Sequence, residues 1–265
     1  MLQVASALKG YAIEATDGRI GTVSDFLFDD GSWTIRWLVV DTGGWLSARK
    51  VLIHPSAIGT ADHETLELPV ALTRAKVRDS PDIARDRPVS RQMESTLFEH
   101  YGWDPMWGGG SYFGGLSMGY PLGGYPLGAT PYFGREPAHA TAGMDGDADL
   151  AVNEGDPHLR SLAAIRGYQV HATDGDIGHV ENFLIDDAAW GVRYLIIDTR
   201  NWWPGQHVLM SPYAVREISW AEHHVRLDVP RERVRTSPPW DPAQMIDEVG
   251  QKRVHTHYDW PGYGW

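Results

Sequence analysis

Apolar residues recur along this chain in short runs, broken at close intervals by Gly, Asp and Pro. Residues 11–15 read as a short strand, and Thr16-Asp17-Gly18 supplies an Asp-Gly turn whose second position needs positive φ. Residues 20–28 carry apolar Ile20, Val23, Phe26 and Phe28, close to a strand that bends or bulges. Asp29-Asp30-Gly31-Ser32 is the next turn, and residues 36–41 form an apolar, β-branched run expected to be a central strand buried on both faces. Val51-Leu52-Ile53 predicts a further strand ended by Pro55. Leu66, Leu68, Val70 and Leu72 alternate as a half-buried strand does, with Pro69 placing it at an edge. A single helical turn capped by Thr73 follows.

The same pattern then returns. Gly10-Tyr11-Ala12-Ile13-Glu14-Ala15-Thr16-Asp17-Gly18-Arg19-Ile20-Gly21 is matched by Gly167-Tyr168-Gln169-Val170-His171-Ala172-Thr173-Asp174-Gly175-Asp176-Ile177-Gly178, an offset of 157 that holds without insertion. Phe26-Leu27-Phe28-Asp29-Asp30 falls on Phe183-Leu184-Ile185-Asp186-Asp187, and Leu38-Val39-Val40-Asp41-Thr42 on Leu195-Ile196-Ile197-Asp198-Thr199. The register outlasts the strand-rich part, because His100-Tyr101-x-Trp103 falls on His257-Tyr258-x-Trp260. Two copies are too few for a solenoid, so two self-contained domains are expected. The expected division is residues 1–86 and 158–243 for the repeats, with residues 87–107 and 244–265 as a short helix and aromatic tail after each. Residues 108–157, with Gly108-Gly109-Gly110 and the repeated Tyr-Pro-Leu-Gly, have neither regular period and read as a flexible Gly/Pro-rich and acidic linker. As a coil its span would grow at roughly 5–6 Å times the square root of its length, which leaves the placement of the units open.

Composition narrows the function. The net charge of −12 argues against a nucleic-acid partner, whose phosphates call for Lys and Arg, and against anionic lipid. The chain has no cysteine, which rules out disulfides, thiol nucleophiles and Cys-type zinc sites. The first residues lack the basic start and apolar run of a signal peptide, and no stretch approaches bilayer length. The expectation is a soluble cytoplasmic protein without stable membrane insertion.

Taken in order, the Gly-Tyr start, Asp-Gly-x-Ile-Gly-x-Val, the Phe-Leu-x-Asp-Asp turn, the Leu-Val-Val-Asp strand and the Val-Arg-x-Ser-Pro ending resemble the PRC-barrel family over about 85 residues of each copy. That family includes the cytoplasmic domain of the photosynthetic reaction-centre H subunit and the C-terminal domain of the ribosome-maturation factor. The resemblance implies a mainly β fold, two small PRC-type β-barrels that bind other proteins. The membrane helix of the first relative and the additional N-terminal domain of the second have no counterpart here.

Candidate chemistry is sparse. Asp29, Asp30 and Asp41, with Asp186, Asp187 and Asp198, could offer oxygen ligands to a cation, yet each also suits a turn or strand end, the favoured reading. His54, His171, His179 and His207 are scattered, and His223-His224 and His255-x-His257 lack zinc-motif spacing. No nucleophile elbow or phosphate loop is present, so neither enzyme activity, metal nor cofactor is expected. The aromatics carry more. The expected interaction residues are Trp45, its counterpart Trp202, the adjacent Trp203, and His100, Tyr101, Trp103, His257, Tyr258 and Trp260 in the tails. Equally, the tails could fold back and complete a core. The expected function is a non-enzymatic protein-interaction scaffold whose barrels pair within the chain or as a homo-oligomer, with a small-ligand or metal-responsive regulator as the alternative.

Overall fold

The computed structural model describes residues 1–46, 49–81, 91–103, 156, 158–199, 206–242 and 245–263. The expected linker, residues 108–157, lies outside them except for Asp156.

The protein is mainly β, built on two sheets. The first unit runs β1 (Leu2–Val4), α1 (Ala5–Leu8), β2 (Ala12–Ala15), β3 (Gly18–Asp29), β4 (Ile35–Asp41), β5 (Lys50–Ile53), β6 (Glu67–Pro69), α2 (Arg74–Arg78) and α3 (Arg91–Tyr101). The second runs β7 (Leu159–Ser161), α4 (Leu162–Ile165), β8 (Gln169–Ala172), β9 (Gly175–Asp186), β10 (Gly191–Asp198), β11 (His207–Met210), β12 (Val215–Ser219), β13 (His224–Leu227), α5 (Arg231–Arg235) and α6 (Glu248–Tyr258). The sheets are open paths of paired strands, β5-β4-β3-β2-β6 and β11-β10-β9-β8-β13-β12.

Local chemistry accounts for most of this. Gly18 takes φ +126° in the expected hairpin, where an L side chain would be strained. The apolar run of β4 lies between β3 and β5 and is buried along Trp37, Leu38, Val39 and Val40. Thr73 caps α2, its hydroxyl accepting from the Lys76 amide at 3.3 Å. The alternating strand is shorter than expected. Leu66 is exposed at φ +58°, and only residues 67–69 form β6, parallel to β2. In the second unit the corresponding strand β13 is likewise parallel to β8, and it also forms an antiparallel hairpin with β12.

The expectation of self-contained units changes at one point. The long strand β3 is covered on one edge by β2 only over its first residues, and the remainder, Leu27 to Asp29, is paired by β7 of the second unit. Reciprocally, β1 pairs with Leu184 to Asp186 of β9. Each unit therefore donates its first strand to the other. The two β3–β4 and β9–β10 turns also meet. The Ile35 amide donates to the Trp190 carbonyl at 2.7 Å, and the equivalent Val192 amide to the Trp33 carbonyl at 2.8 Å.

Trp33 and Trp190 hold φ +57° and +50°, uncommon for tryptophan. The turn around Trp33 is pinned by Asp29, whose carboxylate accepts from the Gly31 and Ser32 amides. Behind the exchanged strands, Leu8, Leu162 and Ile165 are fully or almost fully buried, and one continuous apolar core includes residues of both units. Burial of a leucine or isoleucine stabilises by roughly 1.5–3 kcal/mol. Loss of either exchanged segment would thus expose apolar surface on both halves.

A direct consequence is testable. Fragments 1–107 and 156–265, co-expressed as separate chains, are expected to copurify as a 1:1 complex by native mass spectrometry. Recovery of two non-interacting folded monomers would contradict the exchange.

Candidate functional site

The tail aromatics finish the core of their own unit. On the first unit, Trp37 at the centre of β4 meets His54, Phe98 and Trp103 at ring distances of 5.4, 5.5 and 6.0 Å. Trp103 stacks on Tyr101 at 4.2 Å, and on the second unit Trp260 stacks on Tyr258 at the same distance. Tyr101 and Tyr258 are buried. His100 bonds the Lys76 carbonyl at 2.9 Å, Lys76 Nζ donates to the Tyr101 carbonyl at 2.7 Å, and His257 bonds the Arg233 carbonyl at 2.8 Å. These clamps tie each tail to its preceding helix, α2 or α5. Of the two readings open from the sequence, the described part of each tail follows the fold-back one, docking on its own unit. Trp45 likewise lies on its own unit, its indole N–H donating to the Ile20 carbonyl and its ring under the Arg74 guanidinium at 4.6 Å. Trp202 and Trp203 fall outside the described residues.

One charged junction holds this assembly together. Arg36 on β4 donates to Glu94 on α3 and, at 2.7 Å, to Asp156 at the entry to β7. The Trp37 indole donates to the other Glu94 oxygen at 2.6 Å. Burial holds the Glu94 carboxyl above its usual range, with the Arg36 charge and the Trp37 bond pulling the other way. The sequence reading missed this set, since Arg36, Glu94 and Asp156 share no motif. The second unit has Arg193 paired with Asp186 at 2.8 Å, and Gln251 at the Glu94 position.

The two sides of the inter-unit contact are not alike. On one side His63 bridges the units, meeting Tyr11 at 3.0 Å and Asp187 at 3.0 Å. On the other the equivalent residue is Trp220, and a cleft of about 470 Å³ opens, lined by Asp30, Trp33, His158, Arg160, Arg216 and Trp220 among others. The Arg160 guanidinium lies 4.4 Å from the Trp220 ring centroid. His158 pairs with Asp30 at 2.8 Å, and burial raises the Asp30 carboxyl above its usual range despite that partner.

Three of the six acidic candidates, Asp29, Asp41 and Asp186, accept from turn amides. The Asp41 carboxylate accepts from the Gly43 amide at 2.9 Å, and that of Asp186 from the Ala188 amide at 3.1 Å. The histidines are less scattered than their spacing suggests. Asp198, at the end of β10, pairs in register with His179 on β9 and with His207 on β11. The donor atoms of Glu181, Asp198 and His207 lie within 4.8 Å of one another. Each hairpin brings together residues distant in sequence, which is why spacing gave no signal.

Two sheets make up a mainly β protein. Residues 5–66 match the PRC-barrel domain family, and this part of the chain is a PRC-barrel domain. An uncharacterized protein of Deinococcus radiodurans is 35% identical over 78 residues, 29% of this chain and 28% of that protein. The chain thus spans under a third of that relative's length. Among the described residues no helix is long and apolar enough to cross a membrane.

Proposed function

We propose that this protein is a non-enzymatic, cytoplasmic interaction scaffold: a tandem duplication of a PRC-type unit, locked by exchange of first strands, that holds a protein partner in the cleft beside Trp220. The observation that carries the reading is the asymmetry of the two sides. Where duplication alone would leave equivalent surfaces, one carries His63 bonded to Tyr11 and Asp187, and the other a cleft over Trp220 and Arg160. Tryptophan and arginine are the residue types most enriched among those that dominate interface energies. The cleft offers Arg160 and Arg216 beside the apolar Pro212, Val215 and Ile218. Asp30 and Glu217 line it too, so the set suits a peptide segment carrying charged groups of both signs next to an apolar side chain.

The test is crosslinking from a native extract through a photoreactive residue at position 218, in the parent and in an Arg216→Glu, Trp220→Ala variant. A defined partner crosslinked at the cleft, recovered at least tenfold less by the variant, is the expected result. Equal recovery by the folded variant would overturn the reading.

A further inference from the structure

The geometry points to a binding site for one divalent transition-metal ion, of the borderline class that zinc exemplifies, held by Glu181, Asp198 and His207 with His179 at its edge. The site is built by the sheet. Asp198 occupies the middle strand, and the antiparallel ladders on either side set His179 and His207 directly across from it. Glu181 comes in by another device. Ile197 pairs with Val180 and Ile196 with Asn182, so Glu181 is the extra residue of a β-bulge. A bulge re-aims a side chain that regular alternation would send elsewhere. His207 Nε2 lies 2.7 Å from Glu181 Oε2, and His179 Nε2 lies 3.9 Å from Asp198 Oδ2. Ligands bound at about 2.1 Å in a tetrahedral zinc site stand roughly 3.4 Å apart, within the spread seen here.

Glu181 Oε2 and His207 Nε2 are buried atoms whose close contact lacks hydrogen-bond alignment. Both aim into the same space. The Asp198 side chain is 2% exposed and that of His207 20%, whereas His179 and Glu181 are 32% and 37% exposed. The cluster therefore has a buried floor and an open rim through which an ion and a water ligand can enter.

The first unit serves as an internal comparison. Its equivalent positions are Thr22, Ser24, Asp41 and Lys50. The bulge is kept, but its residue is Ser24, which donates to the Val39 carbonyl at 3.1 Å, and Asp41 faces Lys50 across the ladder. One carboxylate against one ammonium is neutral. In the second unit the lysine is a histidine and a second carboxylate is added, leaving two formal negative charges with the imidazoles neutral. Those two negative charges equal in number, and oppose in sign, the 2+ of the ion proposed. One imidazole with two carboxylates, and a second imidazole at the edge, favours zinc-like ions over calcium or magnesium, which take oxygen ligands.

The experiment titrates zinc chloride into the full chain, stripped with chelator, by calorimetry, with cobalt(II) absorption as a second readout. Expected is one equivalent bound by the parent, weakened at least tenfold in both His207→Ala and Glu181→Gln, and unchanged in His223→Ala. Magnesium should give no heat, and bound cobalt should show visible bands that alter in His207→Ala. Far-ultraviolet circular dichroism checks that each variant is folded, and the two variants act independently. Absence of zinc binding by the parent, or parent-like affinity and cobalt spectrum in the folded variants, would overturn the site. The cleft variant should bind zinc normally, so failure of the docking reading leaves this inference standing.

Discussion

Replacing Arg36 with alanine is expected to destabilise the protein by about 3–5 kcal/mol, the usual cost of removing one partner from a buried ion pair. The guanidinium joins three separate parts: β4 that carries it, α3 through Glu94, and the entry to the exchanged strand β7 through Asp156. Without it, Glu94 and Asp156, only 4% and 1% exposed, lose the cation between them. The neighbouring carboxylates then repel or must take up protons. Unfolding in urea should therefore shift to lower midpoint, with near-ultraviolet dichroism from the Trp37 cluster lost first. The double variant Arg36→Met, Glu94→Gln should recover part of the loss, because it removes one of the stranded charges. A change below about 1 kcal/mol in Arg36→Ala would mean that the junction behaves like an exposed ion pair.

Acidification should unfold the first unit through His54. This imidazole is 6% exposed beneath Trp37, Phe98 and Trp103, and burial, followed by the Arg36 charge, holds it down at about 4 from 6.5. Its Nδ1 accepts from the Ser56 amide at 3.2 Å, an arrangement that the neutral ring supports. The unfolded chain takes a proton below pH 6.5 while the folded one refuses it until about 4. Stability is thus complete above the unfolded value and falls as pH drops through that window. The full gap is worth about 3 kcal/mol. Glu94 acts in the opposite sense, since its raised folded value favours the folded state on acidification. The difference between parent and His54→Ser isolates the histidine, and serine is what the second unit carries at the equivalent Ser211. Urea unfolding at a series of pH values from 7.5 to 4.5 checks this. Identical slopes in parent and variant would remove His54 as the cause.

The zinc site and the docking cleft differ in how far the sequence revealed them. Asp198 stood out as an acidic strand end, but His179, Glu181 and His207 are joined to it only by two ladders and a bulge. The cleft residues Arg160, Trp220 and Asp30 come from both units, and no spacing rule links them. The tail aromatics were legible as a repeated motif. Their direction was not, because the same Tyr-x-Trp pair can stack on its own strand or on a partner.

Local structure and its repetition follow from the order of residues alone: the Asp-Gly hairpins, the apolar central strands, the Thr73 cap and the second unit 157 residues on. Those features depend on neighbours a few positions apart, whose backbone preferences and alternation act before any tertiary contact forms. Which sheet receives β1 and β7 emerges from packing between the units. Each is a three-residue strand, and it pairs with the stretch of the other unit's long strand that β2 or β8 leaves uncovered. The same holds for the Arg36 junction and the Glu181–Asp198–His207 cluster, where charges remote in sequence meet because the strands carrying them pair. Such contacts lower the free energy only once the sheet exists, so nothing in the local pattern announces them.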